Sequence, residues 1–130
     1  MDSTLLDIVN SLQQIVFEVV DSSTGEIRYI AGDSKWGIDL FPLLKKQKSF
    51  IIDEHTPFLQ DFIIDAKKVW KGDNNTSIKS GFWTEVTSSK LELHLEATAI
   101  RHNDHNILLI ANLAAEFKAR QNTLQSAREL

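Results

Sequence analysis

The sequence predicts an α+β domain in which a five-stranded antiparallel sheet carries its connecting helices on one face. Two strand-like runs flank a turn near the start, three more follow one another near the end, and the clearest helix separates the two groups. Of the 130 residues, 42% are hydrophobic and 25% are charged, which is typical of one globular domain with its own core. We find no internal repeat or linker within residues 1–113.

The first elements are predicted to be a short helix and a β-hairpin. The helix is predicted for STLLDIVNSLQQ, where apolar residues recur at helical spacing behind a Thr-x-x-Asp pattern with capping-box spacing. The hairpin is predicted for IVFEVVDSSTGEIRYIAG, because Gly25 can take the positive φ that a hairpin loop often needs. Residues 33–56 then predict one or two short helical turns, with Asp33 or Ser34 as a cap and Pro42 preventing a longer helix.

The clearest helix is predicted for TPFLQDFIIDAKKVWKG. Thr56 has the properties of an N-cap, Pro57 suits the first helical position, and Gly72 follows the last turn. Because its apolar residues form one stripe, this helix is expected to lie on a large apolar surface. The stripe consists of Phe58, Phe62, Ala66, Val69 and Trp70.

Three strand-like runs complete the predicted sheet as a meander: IKSGFWTEV, KLELHLEATAI and NILLIANL. The middle run alternates leucine or alanine with glutamate, histidine or threonine, which predicts one buried and one polar face. The last run is apolar on both faces, so we expect it near the centre of the sheet. Phe82 and Trp83 are neighbours on the first of these strands and must point to opposite faces.

The order of these elements over about residues 10–113 resembles a PAS domain, a small bacterial sensory module whose sheet and helices enclose a ligand-sized cavity. The stretches PFLQDFIIDAKKVW, SGFWTE, LELHLEATAI and ILLIANL, followed by LQSAREL, are similar to PAS-like input domains N-terminal to bacterial sensor histidine kinases and some nucleotide cyclases. The resemblance implies a regulatory module of a two-component system, with its catalytic output in a downstream domain. A nucleotide or diguanylate cyclase as output stays open as an alternative.

The last residues, 114–130, are predicted to begin a coiled-coil signalling helix that leaves the sensory domain of residues 1–113. Phe117 and Leu124 are seven residues apart, which is the repeat of a coiled-coil seam. An isolated helix of this length is marginal in water, so we expect a partner helix and therefore a homodimer. The alternative is a terminal helix folded back over the sheet.

Composition excludes several classes of site and partner. The chain has no cysteine, which excludes disulfides, thiolate metal sites, cysteine nucleophiles and cysteine-based flavin photochemistry. A net charge of −4 argues against nucleic-acid binding, and no apolar run is long enough to span a membrane. The polar N-terminus lacks the features of a signal peptide, so we expect a cytoplasmic location without membrane contact.

The pattern does not predict an enzyme, because it contains neither a nucleophile paired with a base nor a phosphate-binding glycine loop. No metal site is predicted either, since the histidines of HNDH lie in a turn between two strands. Haem ligation by His55 or His94 is disfavoured, because one lies in a capping loop and the other on the polar face of a strand. The identity of any cofactor is left open.

A set of mostly aromatic residues is the candidate binding site. Where the long helix crosses the sheet, these side chains could line a pocket for a small apolar or aromatic ligand, although a filled core is the alternative. A filled core would suit a dimerisation or protein-interaction module that senses nothing; an enzyme of related shape is a third, weaker reading. The pocket candidates are Phe17, Tyr29, Trp36, Phe58, Phe62, Trp70, Trp83 and Leu95.

Overall fold

A computed structural model describes residues 13–32 and 34–113, and it confirms the α+β class. Its described part contains one antiparallel sheet of six strands, two α-helices and a short 3₁₀ helix. In chain order the elements are β1 (Gln14–Asp21), β2 (Glu26–Gly32), α1 (Ser34–Leu40), the 3₁₀ helix (Pro42–Lys45), β3 (Ser49–Ile51), α2 (Pro57–Trp70), β4 (Thr76–Val86), β5 (Glu92–His102) and β6 (His105–Asn112).

The sheet has the strand order β3-β2-β1-β6-β5-β4, so the first and last strands lie together at its centre. This confirms the predicted central position of the last strand, whose two faces are both apolar. The N–H of Asn112 donates to the carbonyl of Gln13 over 2.9 Å, just outside the paired part of β1. The chain therefore enters and leaves the sheet at neighbouring points in its middle.

The predicted number of five strands is wrong, because β3 adds a sixth at one edge. Its three residues pair with β2, with Phe50 opposite Ile27. Three residues are too few to show the alternation of polar and apolar positions that identifies a strand in sequence. Here the preceding strand supplies the partner, and Phe50 buries its ring in the core.

Two hairpins use backbone conformations that few residue types tolerate. Gly25 closes the β1–β2 loop at φ 79°, as predicted for that hairpin. Asn103 and Asp104 form the two-residue β5–β6 turn at φ 49° and 64°, and positive φ at both central residues is typical of a type I′ turn. The segment HNDH therefore forms a turn between two strands, as the sequence predicts.

Strand β4 contains a bulge that sets which of its side chains face the core. Gly81 lies at φ 80°, where the pairing of β4 with β5 shifts by one residue. Before the bulge Ile78 pairs with Ala99, and after it Trp83 pairs with Leu95. Because β4 advances by five residues while β5 advances by four, the extra residue keeps Ile78 and Trp83 on the same face.

Helix α2 begins and ends where the sequence predicts, with Pro57 at the first position and Gly72 after the end. Thr56 is the N-cap residue, but its side chain makes no capping hydrogen bond. The stripe includes Leu59 and Ile63 in addition to the predicted residues. Its residues buried in the main core are Leu59, Phe62, Ile63, Ala66 and Trp70, while Phe58 and Val69 are partly buried.

The predicted alternation of β5 is confirmed, with one exception. Leu93, Leu95, Ala97 and Ala99 are buried in the core, whereas Leu91 precedes the strand and is exposed. The predicted N-terminal helix, the cap Asp33 and the signalling helix of residues 114–130 lie outside the described residues.

Candidate functional site

Five of the eight pocket candidates lie in one packed core between α2, α1 and the inner face of the sheet. All five are buried: Phe17, Trp36, Phe62, Trp70 and Leu95. The ring of Phe17 is surrounded edge-on by three others, with ring centres 6.3 Å away for Tyr29, 5.6 Å for Phe41 and 5.9 Å for Phe50.

The other three candidates pack at the margins of this core. Phe58 at the start of α2 stacks on Trp83 of β4, with ring centres 4.4 Å apart and planes inclined by 17°. Tyr29 donates its hydroxyl to the carbonyl of Gly32 over 2.7 Å. Phe82 points to the opposite face from Trp83, as strand parity predicts, and it is exposed.

A cleft of about 380 Å³ opens beside this core, within the usual size range of small-molecule sites, about 300–1,000 Å³. None of the eight sequence-derived candidates lines it, so their role in ligand binding stays a prediction. The lining residues come from the end of α1, the 3₁₀ helix, β3, the loop before α2, and the end of β4 with its turn.

The cleft brings together the two opposite edges of the sheet. Phe50 and Ile51 belong to edge strand β3, and Glu85 and Val86 belong to edge strand β4. In a flat six-stranded sheet, five spacings of about 4.8 Å would separate these strands by roughly 24 Å. Since residues of both edges line one small cleft, the sheet is curled, and the cleft lies where its edges approach each other.

One wall of the cleft is the tight turn between β4 and β5. The Thr87 N–H donates to the carbonyl of Leu91 over 2.9 Å, and the Leu91 N–H donates to the Thr87 hydroxyl oxygen over 3.1 Å. Ser89 lies in the same turn and donates its hydroxyl to Asp39 Oδ1 over 3.3 Å. This bond ties the turn to α1, so two walls of the cleft are joined.

The opposite wall is the loop before α2, which an aspartate and a histidine shape. Asp53 Oδ1 accepts the backbone N–H of His55 over 3.0 Å and lies 2.9 Å from the ring Nδ1. These hydrogen bonds lower the pKa of Asp53, and the same carboxylate raises the pKa of His55. His55 is exposed, so its ring stands at the mouth of the cleft.

Among the carboxylates of the cleft, Glu85 stands out by its burial and its raised pKa. It pairs with Leu93 on β5 and lies two residues after Trp83, so its side chain is on the inner face of the sheet. Its Oε1 is buried and has no hydrogen-bond partner within the described part of the chain. Burial raises the pKa of this carboxyl group, because the charged form loses its hydration.

A second polar network joins the end of α2 to the centre of the sheet. Trp70 Nε1 donates to the carbonyl of Ile107 on β6 over 3.1 Å. The Trp70 carbonyl accepts Arg101 Nη1 over 2.9 Å, and the same nitrogen donates to Asn106 Oδ1 over 2.8 Å. The helix that covers the sheet is therefore anchored to the strand from which the chain leaves.

The two histidines considered as haem ligands lie in different surroundings. His94 is on the outer face of β5, with Nδ1 3.1 Å from Thr84 Oγ1 and Nε2 3.3 Å from Glu92 Oε1. His55 is at the cleft mouth. Within residues 13–32 and 34–113, no group of three or more metal-ligating side chains lies together, and no helix there has the length and apolarity needed to cross a membrane.

Sequence reasoning missed the cleft because its lining comes from short, irregular segments. Asp39, Asp53 and Glu85 are far apart in sequence and follow no motif. One signal was available for Glu85: if Trp83 faces the core, a residue two positions later on the same strand faces it too. A carboxylate at such a position is rare enough to indicate a site.

Comparison with known proteins adds no identification. No protein-family model matches the chain, and no curated protein sequence matches it either. The fold class and the cleft therefore rest on the described geometry.

Proposed function

We propose that the chain is a PAS-like sensory input module of a bacterial signal-transduction protein, in the first place a cytoplasmic sensor histidine kinase. It binds a small molecule in the cleft and relays the bound state through residues 114–130 to a downstream output domain. The module itself carries out no reaction. One observation carries the proposal: the cleft joins both edges of a sheet whose central strand leads into the proposed signalling helix.

The curled sheet offers a physical route for the relay. A ligand that contacts β3 and β4 together changes the distance between the sheet edges, and each strand is hydrogen-bonded to the next as far as β1 and β6. A change in curl therefore alters the geometry at the end of β6. A ligand shifts such an equilibrium only by its difference in affinity for the two states, and contact with both edges provides that difference.

Helix α2 provides a second connection to the same strand. Its first turn lies beside the cleft, because Thr56 is one of the lining residues, and its last residue donates to the carbonyl of Ile107 on β6. A small movement of α2 at the cleft would be transmitted along a rigid helix to the central strand. Both routes reach strand β6, and residue 113 leaves the sheet at the far end of that strand.

A second candidate function is a dimerisation module that senses nothing. The observation that favours it is the close packing of the predicted aromatic pocket, in which five of eight candidates are buried in one core. In that case the cleft is a surface feature, and the helix of residues 114–130 serves only to hold two copies together. The homodimer is common to both candidates.

A native mass spectrum of the purified protein separates the two candidates, since it reports oligomer mass and retained small molecules together. A dimer that carries additional mass supports the sensory module. A dimer of bare chains that stays bare after incubation with cell extract metabolites favours the dimerisation module. A bare monomer contradicts both.

Paired variants test the role of the proposed signalling helix. Replacing Phe117 and Leu124 by serine removes two apolar residues from the expected seam and should give a monomer. The control is Ile64→Ser, which makes the same kind of change at an exposed position of α2 and should leave the dimer unchanged. A dimer that persists after the double substitution would contradict the coiled-coil interpretation.

A further inference from the structure

We propose that the cleft binds a small organic amine, with its apolar body against the rings of Phe41 and Phe50 and its ammonium group at the carboxylate of Glu85. The inference rests on the proposed function only in taking the cleft as the ligand site of the sensor. It adds the chemical class of the ligand, which neither the fold nor the resemblance specifies.

The charges around the cleft favour a cation. Asp39, Asp53 and Glu85 line it, whereas none of the described residues that line it is a lysine or an arginine. Within residues 13–32 and 34–113, the one lining side chain that can carry a positive charge is His55, and its Nδ1 is already engaged by Asp53 over 2.9 Å. An anionic ligand would meet three carboxylates without a free cationic partner.

The unpartnered oxygen of Glu85 selects for a hydrogen-bond donor. Buried polar atoms in native proteins nearly always have a partner, so an unpartnered carboxyl oxygen next to a cleft is a place for a ligand group once its side chain turns towards the cleft. Glu85 Oε1 is buried without a partner among the described residues and belongs to a residue that lines the cleft. An ammonium group would supply both a donor and the opposite charge, which gives a charge-assisted hydrogen bond.

The remaining lining provides an apolar surface for the body of the ligand. Leu40, Phe41, Phe50 and Ile52 are buried and line the cleft. The rings of Phe41 and Phe50 lie 5.0 Å apart at an angle of 46°. An aliphatic or aromatic group can pack on these rings, and an ammonium near their faces gains further attraction. A fully hydrophilic cation would leave this surface without a partner.

The test uses three probes that share one ring and differ in charge: benzylamine, benzyl alcohol and benzoate. At about pH 7 the amine is protonated and the acid is ionised, so charge is the main variable. Each is titrated into the ¹⁵N-labelled chain to about 20 mM, because a ligand of this size is expected to have a dissociation constant of about 1 mM. We expect benzylamine to shift the amide signals of Phe41, Phe50 and Thr87, with the alcohol weaker and benzoate inactive.

Matched carboxylate variants assign the binding to Glu85. Glu85→Gln should weaken benzylamine binding at least about tenfold, the effect of losing one charge-assisted hydrogen bond. Glu92→Gln makes the same change on the outer face of the sheet and should leave binding unchanged. If Glu85→Gln alters amide signals throughout the spectrum, Asp39→Asn is used as the test variant instead. It should weaken benzylamine binding by a smaller factor.

Several results would overturn the inference. These are the absence of amide shifts with benzylamine, equal binding of benzoate or benzyl alcohol, and a Glu85→Gln variant that binds benzylamine as the wild type does. Failure of the relay is a separate result: benzylamine would bind in the cleft, but the dimer mass and the hydrogen exchange of His105–Asn112 would not change. Conversely, an anionic molecule retained in the native dimer and shifting the cleft amides would refute the amine while keeping the sensory module.

Discussion

Replacing Phe17 by alanine tests whether the aromatic cluster is a filled core or a ligand cavity. Phe17 lies on central strand β1, its side chain is 0% exposed, and its ring has edge contacts with three other rings. If these rings fill space among themselves, truncation leaves a void that the neighbours only partly close. If they bordered a ligand cavity, the neighbours would already lack partner atoms on one side and the loss would be smaller.

The size of the effect follows from the burial and the ring contacts. Truncating a buried phenylalanine to alanine costs about 3–5 kcal/mol, and edge contacts between rings add stability beyond buried area, about 0.5–1.5 kcal/mol each. We therefore expect the upper part of the range, about 4–5 kcal/mol. With a urea dependence of at most about 3 kcal/mol per molar, a loss of about 4 kcal/mol lowers the unfolding midpoint by at least about 1.3 M.

The assay is equilibrium urea unfolding of the wild type and three variants. Phe82→Ala makes the identical change at a side chain that is 61% exposed, and it should cost less than about 1 kcal/mol. Phe17→Leu removes about three carbon atoms, or about 2 kcal/mol, and gives a measurable value if the alanine variant does not fold. Equal costs for Phe17→Ala and Phe82→Ala would refute the filled core.

Three further predictions follow from the polar contacts. Trp70→Phe should destabilise the fold more than Trp36→Phe in urea unfolding, because both indoles are buried but only the first donates a hydrogen bond to a described residue, and the loss of that bond costs about 1–3 kcal/mol; equal losses would contradict this. In an NMR titration Asp53→Asn should lower the pKa of His55 towards its ordinary value of 6.5, and an unchanged pKa would refute the pairing. Burial raises the pKa of Glu85 above 4.5, so the folded state binds its proton more tightly and its stabilising effect is lost as pH rises through that raised pKa. Relative to the wild type, the Glu85→Gln variant should therefore gain stability as the pH rises above 4.5, and parallel pH profiles would contradict the burial.

The elements with a regular repeat could be predicted from the sequence. Strand β5 shows a period of two and α2 an apolar stripe with Pro57 at its start and Gly72 after its end, and all of this is observed. Strand β3 could not be predicted, because its pairing with β2 rather than its own composition makes it a strand. Thr56 occupies the N-cap position, as predicted, but its side chain makes no capping hydrogen bond.

The cleft depends on the part of the fold that periodicity describes least well. From Ile78, strict alternation along β4 would place Trp83 and Glu85 on the outer face, but the bulge at Gly81 reverses the phase. Parity predicts that Phe82 and Trp83 face opposite ways, and only the bulge decides which of them faces the core. The same shift brings the Glu85 carboxylate to the inner face, so one glycine determines both the Trp83 contact with Phe58 and the charge of the cleft.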